Sequence, residues 1–363
     1  MKAVKIPPLA GRVEINVTFN ISTRRNVGKT SLELPILGFG AAHLGELYSY
    51  LEEAELQATL DAAWSGNLRY YDTAPWYGRG KSEHRLGSFL SAKARAEFLV
   101  TTKVGRLLRR PKNLKSFSRA PWLGGYNFEV VFDYSYDGIM QSYEQSLQRL
   151  GLDRVDALVL HDLDDIFLGD TLAAHEKIFF DSGIRALEEL KTSGDIKAYG
   201  MGINQAETLV TTASKLDLDF VLVAMPYTLL DQASLHTGMA SCIKRGISVI
   251  IGAPFASGIL VTGSKAGAKY AYGNASPEIQ AKVRGIESVC KAHGVAMPAA
   301  ALQFPMAHPA VVSIIPGAAR ASEVTQNIAA FDTSIPAAFW SDLKAQNLID
   351  SAAPIPTDMK HAL

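Results

Sequence analysis

Four ionisable side chains end short apolar runs or lie just beyond one: Asp72, Tyr77, Lys103 and His161. Tyr70-Tyr71-Asp72 closes one run, and Tyr77 follows five positions later within Thr73-Ala74-Pro75-Trp76-Tyr77-Gly78. Thr101-Thr102-Lys103 closes the next, and Leu160-His161 the one after. A tyrosine with an ordinary pKa of ~10 is a poor acid–base at neutral pH. An adjacent ammonium stabilises the phenolate and is expected to lower that value, and a carboxylate behind the lysine fixes the ammonium. A histidine donates a hydrogen bond to a substrate oxygen. The set suits proton exchange at an alcohol or carbonyl oxygen while a hydride moves at its carbon. Each residue alone has a plainer explanation: a barrel-end salt bridge for Asp72 and Lys103, packing for Tyr77, a satisfied core histidine for His161. Their shared position at the ends of three consecutive runs favours a site.

The elements that must hold them alternate. Candidate strands are Leu34–Gly40, Arg69–Asp72, Phe98–Lys103, Val155–Leu160, Ala198–Ile203, Phe220–Ala224, Ile247–Ile251 and Val311–Ile315. Most are too apolar for a half-exposed sheet and predict parallel strands buried on both faces. Helical patterns lie between them: Glu53–Ala63, Lys81–Leu90, Asp137–Leu150, Ser182–Lys191, Gln205–Ser214, Ala233–Arg245, Pro277–His293 and Ala321–Ala330. The third buries Met140, Tyr143, Leu147 and Leu150 at helical spacing behind an Asp137 cap. Gly151, Gly194, Gly246 and Gly294 each follow a helical run, where a left-handed cap is wanted. Eight strand–helix units predict an α/β fold of the (β/α)₈ TIM-barrel type, with catalytic groups at strand C-termini. The rival doubly wound dinucleotide fold lacks its fingerprint, because Gly38-Phe39-Gly40-Ala41-Ala42-His43 ends in histidine where the third glycine belongs.

Residues 1–23 fit no barrel unit and are expected to form an N-terminal arm, with the barrel over 24–340 and a tail over 341–363. Two connections are long, Val104–Tyr136 and Phe255–Ser276, and both lie on the active-site face of a barrel. The first carries Arg106, Arg109, Arg110, Lys112, Lys115 and Arg119 with no acid until Glu129, and reads as a solvated basic loop.

Composition excludes several classes. The chain has 363 residues, 36 basic and 36 acidic, a balance that argues against nucleic acid as a partner. Its two cysteines exclude a cysteine zinc site and suggest a reducing compartment, so a cytoplasmic protein is expected. No membrane span is expected, since no uncharged apolar run approaches the ~18 residues that one needs. Arg24-Arg25 is a weak twin-arginine candidate. No nucleophile elbow and no H-x-H or H-E-x-x-H metal pair occurs. His161-Asp162-Leu163-Asp164-Asp165 imitates a hard-metal cluster, but Lys103 would point a like charge at the ion, so no metal is expected.

The chain resembles the aldo-keto reductases from about Arg25 to Phe331. The resemblance rests on Leu34-Pro35-Ile36-Leu37-Gly38-Phe39-Gly40, Tyr71-Asp72-Thr73-Ala74-Pro75-Trp76-Tyr77-Gly78 with Ser82-Glu83 and Leu86-Gly87, and Thr102-Lys103. It continues through Ser146-Leu147-Gln148-Arg149-Leu150-Gly151 to Asp156 and His161, and ends with Ile315-Pro316-Gly317-Ala318. It implies that Asp72, Tyr77, Lys103 and His161 form a catalytic tetrad and that the cofactor is a nicotinamide dinucleotide. Cofactor contacts would come from Gly40, Ala41, Asp72, Asn204, Pro254, Phe255, Ser257, Gly258, Leu260, Ile315, Gly317, Ala318, Arg320, Glu323, Gln326 and Asn327. His43, Trp76, Trp122 and Tyr126 would line the substrate site. Phe132 to Gly138 and Tyr227 to Gln232 resemble the branch of aldose 1-dehydrogenases acting on L-fucose or D-threo-aldoses, which pyridoxal 4-dehydrogenases share. A small sugar or aldehyde is then the partner.

The chain departs from the family pattern at several positions. Ile203 stands for the serine before the carboxamide-binding asparagine, Ala224 for a glutamine, and Gly252 for the aromatic that stacks on nicotinamide, leaving Phe255 or Tyr227 as substitutes. Where NADPH-preferring relatives place lysine, serine and arginine, this chain has Gly317, Ala318 and Glu323, so NAD is expected to be preferred over NADP. Arg320 is the one nearby cation, expected to pair with Glu323 or to meet a 2′-phosphate.

Overall fold

The structure is a computed structural model that describes residues 19–358 except Tyr48, Ala266 and Tyr272. Its centre is eight short parallel strands: β1 (Phe39–Gly40), β2 (Tyr70–Asp72), β3 (Leu99–Val104), β4 (Ala157–Leu160), β5 (Ala198–Ile203), β6 (Phe220–Val223), β7 (Ser248–Ile251) and β8 (Val311–Ile314). They pair in sequence order, each with the next. The ring closes between β8 and the residues entering β1: Gly38 N donates to Ile314 O at 2.9 Å, and Gly40 N to Pro316 O at 3.1 Å. Helices α1 (Glu53–Ser65), α2 (Lys81–Leu90), α3 (Tyr136–Leu150), α4 (Ile184–Ser193), α5 (Ala206–Lys215) and α6 (Ala240–Arg245) follow the first strands. The remaining long ones are α7 (Pro277–His293), α8 (Met297–Met306), α9 (Ala321–Asp332) and α10 (Ala337–Ala345). This is the (β/α)₈ barrel that the alternation predicts.

Alternate residues of the strands face two cores. Ala157, Val159, Ala198, Phe220, Leu222 and Ile250 fill the barrel interior, while Leu158, Leu160, Val221, Val223 and Ile251 pack under the helices. Burial on both faces is why the strands read as continuous apolar runs. At position 200 a Cβ would meet the Phe220 ring at 2.7 Å, so the aromatic occupies the volume that glycine leaves. The four glycines expected as caps all follow helices with φ between 62° and 87°.

Several boundaries differ from the sequence reading. Leu34 and Pro35 leave the expected first strand and pair antiparallel with Arg24–Arg25 in a hairpin. Pro35 has no N–H to give a central ladder, which places the break there. Val27, Leu32 and Leu34 of that hairpin seal the end of the barrel interior, and Arg25 Nη1 donates to Val311 O at 2.6 Å. The cap of α3 is Ser135, whose hydroxyl accepts from Gly138 N at 3.1 Å; Asp137 stands in the first turn. Ile139 and Tyr143 are buried on that helix, while Met140 and Leu147 are half-buried. Helix α8 was not anticipated because it is buried on all sides and shows no amphipathic period. Helix α10 crosses the 340/341 boundary, and Leu348, Ile349, Ala353 and Ile355 are buried beyond it. Residues 1–18 of the expected arm lie outside the described residues; Phe19 packs edge-on against Phe331.

Candidate active site

Strands β2, β3 and β4 lie side by side, so their C-terminal ends bring Asp72, Lys103 and His161 to one rim. Lys103 Nζ donates to Asp72 Oδ2 at 2.6 Å and to Thr73 O at 2.9 Å. Thr101 Oγ1 donates to the other oxygen, Asp72 Oδ1, at 2.7 Å. Each carboxylate oxygen thereby has a donor, and the ammonium is aimed. The turn after β2 folds Tyr77 back over this pair, with Lys103 Nζ 4.6 Å from the centre of its ring. The Tyr77 and His161 rings stand edge to face at 6.1 Å.

Electrostatics at the tetrad differ from the simple expectation in one respect. Burial pushes the Tyr77 phenol up from its ordinary value and Asp72 adds to this, while Lys103 pulls it down without winning. Desolvation of the phenolate outweighs the single ammonium. Lys103 itself is held charged: burial opposes its ammonium, but Asp72 and Tyr77 raise its pKa overall. Burial drives His161 well below its ordinary value, with Arg106 and Lys103 acting in the same direction, so its imidazole is neutral.

Arg106 is the residue that the sequence reading misplaced. It is 1% exposed, not part of a solvated loop. Gly105, at φ 97°, turns the chain so closely against Tyr134 that a Cβ would meet that ring at 2.5 Å, and Arg106 then starts a hairpin over Arg106–Arg109 and Glu129–Phe132. Its guanidinium donates to Asp162 Oδ2 at 2.6 Å. Asn204 Nδ2 donates to Asp162 Oδ1 at 2.9 Å and to Asp164 Oδ2 at 3.2 Å. Two carboxylates of the sequence cluster, Asp162 and Asp164, are therefore engaged by a guanidinium or an amide, while Asp165 is exposed. One signal was available: a single charge inside the apolar run Val104-Gly105-Arg106-Leu107-Leu108.

Of the four expected substrate residues, two meet the tetrad. Trp76 lies 6.0 Å from His161 and 5.3 Å from Trp122, and Trp122 lies 5.5 Å from Tyr77. Phe167, unanticipated, completes this wall 5.3 Å from Trp76. Trp122 Nε1 is buried without a partner. Tyr126 instead packs against His84 of α2 at 5.5 Å. His43 is also elsewhere, beside Gly317: a Cβ at 317 would stand 2.7 Å from its unpartnered Nδ1. Glu323 is the charge His43 feels, opposing the downward push of burial on its pKa.

The expected cofactor residues gather on neighbouring strand ends. Gly40 and Ala41 at β1 adjoin Ile315, Gly317 and Ala318 after β8, bridged at Gly40–Gly317. Pro254, Phe255, Ser257 and Gly258 lie in the loop after β7, where Ala253, Ala256 and Ser257 hold positive φ of 41°, 49° and 60°, and Leu260 is buried in the short helix Ile259–Thr262 that follows. Non-glycine residues in that region carry strain, which clusters at ligand clamps. A Cβ at Gly258 would meet nothing within 4 Å. The orphaned His43 Nδ1, the narrow approach at Gly317 and the open space at Gly258 fit a dinucleotide laid across these ends. Tyr227 does not face it: its ring is fully buried, stacked on Phe304 at 5.7 Å. Phe255, half-buried, packs against the core. Arg320 Nε donates to Glu55 Oε1 at 2.9 Å rather than pairing with Glu323, whose Oε2 accepts from Ala319 N at 2.8 Å. Asn327 of α9 is buried and Gln326 exposed.

The family model described as the Aldo/keto reductase family matches residues 36–347. The chain is similar to a pyridoxal 4-dehydrogenase of Microbacterium luteolum, 38% identical over 337 residues, covering 90% of this chain and 98% of that one. It is also similar to a D-threo-aldose 1-dehydrogenase of a Pseudomonas species, 37% identical over 340 residues with the same coverage. Among solved structures, an aldo-keto reductase of Bacillus halodurans superposes with a TM-score of 0.68 at 24% identity, covering 92% of this chain and 98% of that one. A glycerol dehydrogenase of Gluconobacter oxydans gives 0.69 at 19% identity, covering 94% and 99%. At these identities the two structures support the fold.

Proposed function

The chain belongs to the Aldo/keto reductase family, an oxidoreductase family that uses nicotinamide cofactors, and on that premise we propose that it is an aldose 1-dehydrogenase. In this reading it oxidises a cyclic sugar hemiacetal of the L-fucose or D-threo-aldose class to its lactone. The observation that carries the proposal is the Asp72–Lys103 pair set beneath the Tyr77 ring. A barrel that only senses nucleotides has no need of an ammonium aimed at a phenol.

Tyr77 takes the hydroxyl proton of the substrate at its phenolic oxygen. Lys103 stabilises the phenolate that accepts this proton, and Asp72 holds Lys103 in place. His161, neutral, donates one hydrogen bond to the same substrate oxygen. A bound nicotinamide supplies the acceptor for the hydride that leaves the substrate carbon. Asn204, Gly317, Glu323 and the loop after β7 would hold that group, and His43 joins them in place of its expected substrate role. The half-buried Trp76 indole would offer its apolar face to a pyranose ring, with Trp122 buried at right angles beside it.

The same wall favours a second substrate reading, a pyridoxal-like ring. Trp76 and Trp122 stand at 90° with centroids 5.3 Å apart, a corner that accepts a planar heteroaromatic equally well. Cofactor choice follows from charge: Glu323 and Gly317 stand where a 2′-phosphate wants cations, and Arg320 is engaged by Glu55. We therefore assign NAD as the preferred form. Cys242 and Cys290, both buried free thiols, support a cytoplasmic setting; among the described residues no helix is long and apolar enough to cross a membrane. The test is turnover of free aldoses, pyridoxal and simple aldehydes, each with NAD and NADP. Lactone formation from an aldose with NAD supports the first reading, and turnover of pyridoxal alone selects the second. A protein that binds NADH but turns over none of these is the nucleotide sensor.

A further inference from the structure

A guanidinium buried behind an active site demands a physical reason, because desolvating it costs several kcal/mol unless its partners are well placed. Arg106 has one carboxylate and three aromatic rings around it, its Nε being left without a partner, and all but Phe132 of these border the tetrad. Its Nη2 reaches Asp162 Oδ2 at 2.6 Å, and that same oxygen lies 3.2 Å from His161 Nε2. The guanidinium carbon sits 4.6 Å from the Trp76 ring and 4.6 Å from Phe167. Asp162 adopts a positive φ of 47°, and Tyr134 OH donates to both His161 O and Asp162 O at 2.8 and 3.1 Å, which holds this turn in its strained form. One carboxylate thus joins the chain leaving β3, the end of β4 and the amide of Asn204 just past β5.

We propose that Arg106 is a positioning residue for hydride and proton transfer: through Asp162 it fixes the His161 imidazole and the Asn204 amide in one frame. The inference rests on the tetrad reading above. Its logic is competition for a donor. With Oδ2 engaged by the guanidinium and Oδ1 by Asn204, the carboxylate has little need of the imidazole N–H, which stays available to a substrate oxygen. Without the Arg106–Asp162 pair the imidazole and the Asn204 amide lose their common anchor, and where Asp162 remains without Arg106 its freed oxygen also takes that N–H and draws the ring away from the substrate. The positive charge also disfavours a protonated imidazole, in accord with the downward shift at His161. Arg106 packs against Trp76 as well, so the same side chain sets the aromatic wall beside Tyr77.

Arg106→Met alone leaves a buried unpaired carboxylate and is expected to lose stability. The decisive protein is therefore Arg106→Met combined with Asp162→Asn, which removes both charges. It is compared with Arg106→Lys, which keeps one. The measurements are the thermal midpoint, NADH affinity by quenching of tryptophan fluorescence, and kcat and KM for L-fucose with NAD, or for pyridoxal if that is the compound turned over. A substrate deuterated at the oxidised carbon reports the isotope effect. The expected result is a folded double variant with NADH affinity near the parent and kcat lower by about 10- to 100-fold. KM should change little, and the isotope effect on kcat should rise. Arg106→Lys should recover part of the lost kcat. A folded double variant with kcat within about threefold of the parent overturns the proposal, as does a loss confined to KM or to NADH affinity. Tyr77→Phe run alongside separates the two levels. If it stays active, the tetrad reading fails; if it is inactive beside a fully active double variant, only the role of Arg106 fails.

Discussion

Lys103 Nζ lies 2.6 Å from Asp72 Oδ2, and the same ammonium sits 4.6 Å from the centre of the Tyr77 ring. The lysine is thus held from one side and aimed at the phenol on the other. Burial raises the Tyr77 pKa, and Lys103 is the strongest influence opposing that rise. Lys103→Met removes the opposing charge, so the phenol rises further and less phenolate exists at any given pH. Alcohol oxidation needs the phenolate as proton acceptor, so the rising limb of its pH profile is expected to move alkaline. The rate near neutrality should fall by about 100-fold or more. Steady-state kinetics from pH 6 to 10 on a variant shown by circular dichroism to be folded would read this, and an unmoved profile counts against the coupling.

Cofactor choice is a question of which cation is free. Arg320 is engaged by Glu55, and Glu323 spends one oxygen on the N–H of Ala319. The second carboxylate oxygen is left to accept from a ribose 2′-hydroxyl and to repel a 2′-phosphate. Losing an attractive contact and gaining repulsion is worth about 1.5–3 kcal/mol, or roughly 10- to 100-fold in affinity. NAD should exceed NADP in kcat/KM by that order, and Glu323→Arg should shift the ratio toward NADP. Equal use of the two by the unmodified protein would mean that Arg320 leaves Glu55 to meet the phosphate.

How much of this was legible in the sequence depends on the kind of signal. Strand-end polarity revealed Asp72, Lys103 and His161, because an acid, a base and an imidazole closing apolar runs survive without any knowledge of packing. The caps at Gly151, Gly194, Gly246 and Gly294 were legible for a similar reason, since each is a local backbone requirement. Arg106 was not, because five further cations follow it and charge runs suggest solvent. Only the turn at Gly105 swings it inward. His43 and Tyr126 lie in segments that follow barrel strands, yet their rings face Gly317 and His84. Which way a loop side chain turns is a tertiary fact with no periodicity to betray it.

Trp122 offers a separate test of the substrate wall. Its ring packs on Tyr77 and Trp76, and its indole N–H is buried with no partner. Buried donors are normally satisfied, so this one is expected to reach a substrate oxygen. Trp122→Phe keeps an aromatic wall and deletes the donor. KM for the sugar should rise about 2- to 10-fold, the worth of one neutral hydrogen bond, while NADH affinity holds. A lower or unchanged KM would place the substrate elsewhere.

His308 carries a pH prediction that concerns the fold alone. It is 2% exposed, its Nδ1 accepts from Ala310 N at 3.3 Å, and burial lowers its pKa to about 4. In the unfolded chain it titrates near ~6.5. Between those values the unfolded state binds a proton that the native state refuses. Its contribution to stability is therefore fully present above pH ~6.5 and is lost as pH falls toward 4, by about 3 kcal/mol in all. Urea unfolding of the wild type and of His308→Gln at pH 7.5, 5.5 and 4.5 should show the gap between them narrowing with acidity. A constant gap would show that His308 is charged or solvated in the native state.

The central claim is that Tyr77 exchanges the proton. Tyr77→Phe deletes one hydroxyl and keeps the ring that packs on Trp122 and above Lys103. The measurement is kcat for the best aldose or aldehyde found, with NADH binding to the same preparation followed by fluorescence quenching. The account predicts unchanged NADH affinity and a kcat lower by about 100- to 10,000-fold. A phenylalanine variant that binds NADH and turns over substrate near the parent rate would contradict it.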